Sequence, residues 1–453
     1  NDKFNQSSFM LKIFYQKLFE ERDNSGIILW RILLGFLLVA EAWGAILTGW
    51  MTEKFVEPSF RFTFIGFEFL SMLSGPKMYA YNIVMGFFGL FFMLGWKYRF
   101  AAIAYFIMWA GIYFGQKSSY NNHYYLLLLL VGIMIFIPAN TYASLDVRKN
   151  PALKKLSIPY WTYFVLQMQF AIVYFSAVLA KLHPDWLQAM PLKLWLSYKS
   201  DYWLIGPILQ QERMPWLMAY GGIFYDATII PLLLFRKTRY IALGLTLVFH
   251  LSNSAIFQIG IFPFMAISAI VLYWDPTEIK RMFFRKKEKF TPLQMPREIT
   301  FSRKVLLLCI GFYLCGQIYL PLRHHFYEGN VNWTEEGHRL SWHMMTRSKS
   351  GSGYFIVENF RNGKKQRVNT REHLKLHQER AMFKRPDMIW QFSQYLKDYY
   401  NEKGMDSIGI YAHTRISLNG RPAQAIVDPN FNLAEVEKWE RFKHKEWITE
   451  LKD

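Results

Sequence analysis

Apolar residues in this chain gather into long unbroken runs, with little of the alternation or one-sided spacing of a water-soluble fold. Runs of about 18–25 residues with few charges are long enough to cross a bilayer as helices. They predict about nine spans, at 27–48, 78–95, 100–116, 121–138, 160–181, 214–235, 240–257, 261–275 and 304–321. Only Ile259 and Gly260 stand out as a break between the seventh and eighth. Beyond residue 321 the pattern changes. YFIVENF (354–360) and KKQRVNT (364–370) are strand-like and flank Asn362-Gly363, a hairpin signal. Asn419-Gly420 marks a second such turn, between IGIYAHTRISL (408–418) and RPAQAIVD (421–428). Between the hairpins, Met388, Ile389, Phe392, Leu396 and Tyr399 recur at a helical period. A last helix is expected over 432–447. The fold class is therefore an α-helical multi-pass membrane bundle, 27–321, followed by a soluble α+β domain, 322–453, with a polar segment, 1–26, in front.

Charge adds an orientation. The formal net charge is +19 over 453 residues. Lys97 and Arg99, then Arg148, Lys149, Lys154 and Lys155, then Arg236, Lys237 and Arg239 sit in loops between spans. A longer basic stretch, from Lys280 through Arg297 to Lys304, precedes the last span. If nine spans alternate, all these loops share the side of the N-terminus. Positive loops face the cytoplasm, so the C-terminal domain is expected to be exoplasmic, in a periplasm or a lumen. Cytoplasmic loops near anionic lipid account for the charge. Nucleic-acid binding would want a basic, aromatic-studded soluble face, and is not expected. The first apolar run lacks a small-residue cleavage pattern and reads as a span, not a leader. The two cysteines, Cys309 and Cys315, both fall in the last apolar run, so no disulfide framework is expected in the soluble domain.

Three polar strings interrupt the membrane pattern: YNNHYY (120–125), AKLHPDW (180–186) and FHLSNSAIFQIG (249–260). In the predicted topology all three lie near the outer ends of their spans. Ionisable groups within a membrane are functional candidates by default. Lys181 has two readings. It is either a snorkelling lysine with its ammonium at the interface, or an amine in a dry pocket, where loss of charge makes it a base. Trp186 and the apolar run before it supply such a pocket. His123, beside Asn121 and Asn122, is either an interfacial histidine or part of the same polar cluster. His250, Asn253 and Gln258 fall roughly on one helix face. Interhelical hydrogen bonding is the plain alternative for them. Asp226 in the sixth span is a candidate counter-ion for a lysine or histidine. No metal site is expected: the histidines lack a ligand spacing such as H-E-x-x-H.

At these strings the chain resembles the vitamin K-dependent gamma-glutamyl carboxylase family and, more broadly, the bacterial HTTM membrane proteins. The likeness runs through RILLGFLLV (31–39), LGWKYR (94–99), KSSYNNHYYL (117–126), AKLHPDW (180–186), FHLSNSAIFQIGIF (249–262), NWTEEG (332–337), SWHMM (341–345) and VDPNFN (427–432). It implies an enzyme whose co-substrates are vitamin K hydroquinone, O2 and CO2. In that family the quinol is deprotonated and oxygenated to its epoxide, and the base made on the way removes a γ-proton from glutamate. Carbon dioxide then captures the carbanion. The resemblance implies that Lys181 deprotonates the quinol, with His123 in the same pocket. Asn122, His250, Asn253 and Trp186 would hold the quinone; Gln258, Trp333 and Trp342 would meet the peptide. The implied partners are a glutamate-containing exported protein, membrane lipid and the quinone.

The chain departs from the animal enzymes. Ala180-Lys181 stands where they have paired lysines, and His183 and Pro184 replace an acid and a small residue. Their exoplasmic cysteine pair is absent, with Ser59 near one partner position, and a long C-terminal portion is missing. These losses imply a bacterial homologue, in the inner membrane, with a simpler protein substrate; in a eukaryote the membrane would be that of the endoplasmic reticulum. Two other expectations stay open: a quinol epoxidase or oxygenase without a glutamyl substrate, and a non-enzymatic lipid-binding bundle.

Overall fold

The structure, a computed structural model, describes residues 12–203, 205–291 and 300–452. Residues 1–11 of the expected N-terminal segment and Arg297 of the basic loop lie outside them. Each of the nine apolar runs contains a helix: α1 (Ser25–Leu47), α2 (Lys77–Leu94), α3 (Tyr98–Gly115), α4 (Asn122–Phe136), α5 (Trp161–Lys181), α6 (Met214–Leu234), α7 (Arg239–Phe257), α8 (Phe262–Ala269) and α9 (Phe301–Leu322). Six of them, α1, α2, α5, α6, α7 and α9, are long and apolar enough to cross a membrane, so the helical region has six candidate spans among the described residues. Of the others, α3 equals α2 in length at 18 residues, while α4 and α8 are short for local reasons. α4 stops before Pro138, which pushes Ile137 into extended backbone. α7 and α8 are parted by Gln258 and Gly260, both in the left-handed region at φ 51° and 64°.

Side chains facing outward from the helices include Phe36, Phe100, Phe136, Phe175, Phe224 and Phe312, all exposed. So broad an open apolar surface marks a face that meets something other than water. Inside, α1 and α2 approach closely through glycines. A Cβ on Gly35 would lie 2.6 Å from the Cα of Met93, and one on Gly86 would strike the Trp43 ring. Small residues permit this backbone approach in membrane bundles. Arg31, fully buried in α1, donates to the carbonyls of Met93, Ala139, Tyr142 and Ala143, so its charge is solvated by the loops it ties down.

Two short strands, β1 (Glu21–Asp23) and β2 (Ser157–Pro159), pair antiparallel beside the bundle. The C-terminal α+β domain is built on a three-stranded antiparallel sheet of β3 (Lys349–Asn359), β4 (Lys364–Arg367) and β5 (Ile408–Leu418), in the order β4-β3-β5. Asn359 faces Lys364 across the first hairpin, as the Asn-Gly signal predicts. α10 (Pro386–Glu402) packs Met388, Ile389, Phe392 and Leu396 against Phe355, Val357, Ile410 and Ala412 of the sheet.

Two expectations for this domain are corrected. Residues 421–428 do turn at Asn419-Gly420, but they contribute only isolated bridges, Ile416 to Gln424 and Val427 to Ile448. Pro422, at the start of the segment, has no N–H to offer a ladder. Residues 432–447 hold a single 3-10 turn, Leu433–Glu435, and no helix. Their carbonyls are taken by α10: Gln394 donates to Leu433 O, Lys397 to Ala434 O and Trp390 to Val436 O. Acceptors a helix would need are spent on a neighbour.

The domain is clamped to the bundle. Phe60 and Phe62, from the loop after α1, enter its core beside Phe392. Buried Asp387 meets Lys117 Nζ at 2.7 Å and Arg339 at 2.7 and 3.1 Å. Burial alone would raise the Asp387 carboxyl, but Arg339 and then Lys117 outweigh it and hold it at about 2. At the other end Asp185, just past α5, accepts from Arg421 at 2.6 and 2.9 Å and from Asn419 at 2.7 Å.

Candidate active site

Clamping the domain onto the helices encloses a cavity of about 530 Å³. Its floor comes from the helices. Pro184 forces His183 into extended backbone, so α5 ends with Lys181 as its last helical residue. Lys181 is 7% exposed. Its ammonium donates to the Asp226 carboxylate of α6, forming a buried ion pair. The Trp186 ring centre lies 5.5 Å from the same nitrogen, and Trp186 is fixed by its N–H to Ala219 O at 3.2 Å.

α4 begins at the cavity because Asn121 caps it, accepting from the Tyr124 N–H at 2.8 Å. That places Asn122 and His123 in the first turn. Asn122 accepts from Tyr120 OH at 2.7 Å and donates to His343 O at 3.3 Å, so it links floor and roof. His123 needs the glycine next to it: a Cβ on Gly260 would stand 3.3 Å from its Nε2. His250 of α7 is fully buried and shares a 3.1 Å hydrogen bond with Tyr174 OH through Nε2. Its Nδ1 has no partner among the described residues. Asn253 lines the same wall one turn on.

The roof is the segment between α9 and β3. Glu335, Leu340, Trp342 and Met345 all hold positive φ, between 53° and 64°. Such backbone is costly for residues with a Cβ and gathers at functional sites. Here it turns Arg347 and Lys349 toward the cavity, beside Lys384 and Arg385. Glu335 is the carboxylate among them, pairing with Arg347 and with Lys349 at 2.8 Å. Burial would raise it, but Arg347 and Lys349 outweigh that and hold it well below the ordinary carboxylate range. Burial also pushes the Lys349 ammonium down to about 7, against the pull of Glu335. Among the described residues no ion pair engages Lys384 or Arg385, which leaves the roof with surplus positive charge.

Of the residues singled out in the sequence, Lys181, His123, Asn122, His250, Asn253, Trp186 and the counter-ion candidate Asp226 line this one cavity. Three do not. Gln258 is the exposed C-cap of α7. Trp333 is buried in the C-terminal core and donates to Thr449 O at 2.7 Å. Trp342 is 1% exposed and stacks on Tyr125 with ring centres 5.0 Å apart. These two indoles are packing groups. The cationic roof went unrecognised in the sequence, although the SWHMM string runs straight into Arg347 and Lys349. No cluster of three or more His, Cys, Asp or Glu suited to a metal ion occurs among the described residues.

Comparison with known proteins gives two matches. The family model described as HTTM domain matches residues 19–277, more than half of the chain. The model described as vitamin K-dependent gamma-carboxylase, lumenal domain, matches residues 302–453. No solved structure matches. The six apolar helices mark an integral membrane protein. The family points to vitamin K-dependent carboxylase and epoxidase activity, with vitamin K hydroquinone and glutamate-containing protein substrates. With one match on the helical region and the other on the domain that roofs its cavity, the chain belongs to the vitamin K-dependent gamma-carboxylase family of membrane proteins.

Proposed function

We propose that the protein couples epoxidation of vitamin K hydroquinone to γ-carboxylation of glutamate in exported proteins, with Lys181 as the base. One observation carries this reading: a buried lysine–carboxylate pair and two imidazoles from the helices share a cavity with five basic side chains of the C-terminal domain. The cavity suits a flat naphthoquinol. Trp186, Trp195, Phe249, Phe257 and Phe262 supply apolar walls, and the unpartnered His250 Nδ1 supplies a polar contact. When bound, the quinol and oxygen supply the oxidative energy and the base strength that glutamate deprotonation needs.

The protein's own groups act around it. Lys181 Nζ passes its own proton to the paired Asp226 carboxylate and, as the neutral amine, takes the quinol hydroxyl proton, while Asp226 holds that nitrogen in place. Asn122 and His123 orient the quinol from one side, and His250 and Asn253 from another. Trp186 keeps water from the amine. Arg347, Lys349, Lys384 and Arg385 seat the substrate carboxylate. They also stabilise the second carboxylate that the reaction adds, since preorganised charge acts strongly in a site shielded from water. In this reading residues 27–321 form the membrane domain in the bacterial inner membrane, and 322–453 face the exoplasmic side.

The test uses purified protein in nanodiscs with reduced vitamin K, oxygen, labelled bicarbonate and a glutamyl peptide. Epoxide and incorporated label should rise together, and Lys181→Ala should lose both. Epoxide without label would leave a quinol epoxidase. Unchanged epoxide output from Lys181→Ala would remove the lysine from its role.

A further inference from the structure

A second cavity, of about 390 Å³, lies behind the roof of the first. Among the described residues, His343 is the one that lines both. It is buried, and its Nδ1 has no partner among the described residues. On the far side its ring meets His324, centres 4.7 Å apart and planes perpendicular. The His324 ring in turn lies 4.0 Å from that of His325, which is exposed. On the near side His338 of the reaction cavity lies 5.5 Å from His343. Four imidazoles thus run from the reaction cavity to the protein surface.

We propose that His343 and His324 form a proton relay that drains the reaction cavity into the second cavity, where His325 passes protons to bulk water. The inference rests on the carboxylase reading above. In that reading each turnover leaves a proton on the Lys181–Asp226 pair, inside a pocket shielded from solvent. The amine cannot act again until that proton departs. His343 takes a proton on one ring nitrogen and releases another from the opposite one; the ring then turns over to reset. The His324 Nδ1 faces the Pro321 carbonyl at 2.7 Å. A carbonyl only accepts, so Nδ1 carries the hydrogen and Nε2 is left as the atom that receives and passes protons. Water in the second cavity spans the remaining gaps. No electrons move, and each ring ends as it began.

The charged and titratable neighbours suit a conduit. His324, Arg347, His183 and Glu335 act on His343; His325 and Arg323 act on His324. Burial first, and then His324, Arg347 and His183, hold His343 down to about 3, against the pull of Glu335. The ring is neutral at rest and passes a proton without storing it.

Two measurements test the relay. In the first, the unliganded full chain in nanodiscs is treated with diethyl pyrocarbonate and mapped by mass spectrometry. His325, His324 and His343 should be modified, while His250 stays protected. An unreactive His343 beside a reactive His325 would overturn the proposal, with or without catalysis. In the second, His343→Phe and His343→Gln are assayed for epoxide. Each should lower kcat by about 10²-fold, a usual size for a lost proton-transfer group, with KM for the peptide unchanged. Imidazole buffer should restore about tenfold of that loss, as a mobile replacement for the ring. Undiminished kcat, or a loss that imidazole leaves untouched in a protein of wild-type thermal stability, would sink the relay. A wild-type protein that makes no epoxide would instead sink the carboxylase reading, and the mapping alone would then decide whether the two cavities connect.

Discussion

Asp226→Asn probes the buried pair directly. The substitution keeps the shape of the side chain and removes its charge. Lys181, 7% exposed, then has no counter-ion within the helices. Removing one partner of a buried pair costs about 3–5 kcal/mol. Lys181→Met combined with Asp226→Leu should recover most of it, since an apolar pair of similar volume often matches or exceeds a buried ion pair. Reversible unfolding in mixed micelles with rising dodecyl sulfate measures all three variants. The reasoning fails if Asp226→Asn is as stable as the wild type. It fails too if the double variant is no better than the single one, because then the two charges do not support each other.

Three more outcomes follow from the roof and the clamp. Lys384→Met and Arg385→Met should each raise KM for a glutamyl peptide by about tenfold, or about 1.4 kcal/mol; an unmoved KM in both would detach them from the substrate. Lys349, held at about 7, is a cation below that pH and neutral above it. KM for the peptide should therefore climb between pH 6 and 8, and Lys349→Arg, which stays charged, should flatten the climb in steady-state assays. Asp387, at about 2 when folded against about 3.9 when unfolded, stabilises the clamp above the higher value and loses that contribution as pH falls through about 2. Thermal unfolding across pH 2–5 should show this acid limb in the wild type and a shallower one in Asp387→Asn.

Much of this arrangement was legible because membranes demand long apolar runs. Every such run in the sequence holds a helix, and the polar residues that break the runs at Asn122, Lys181 and His250 do meet. Asn-Gly signals located the β3–β4 hairpin and the bend after β5. What escaped depends on tertiary partners. Residues 432–447 read as a last helix, yet α10 takes the carbonyls of Leu433, Ala434 and Val436. Trp333 and Trp342 sit in motifs shared with the family, but motif membership does not separate a packing indole from a contact. The roof cations could not be read from spacing. Arg347 and Lys384 lie far apart in sequence and come together only through the left-handed turns between Glu335 and Met345.

The grip of Arg421 and Asn419 on Asp185 has a mechanical meaning. Asp185 stands four residues after Lys181, and the turn after β5 holds it. A force on this turn would pull on the end of the helix that carries Lys181, through a lever only a few residues long.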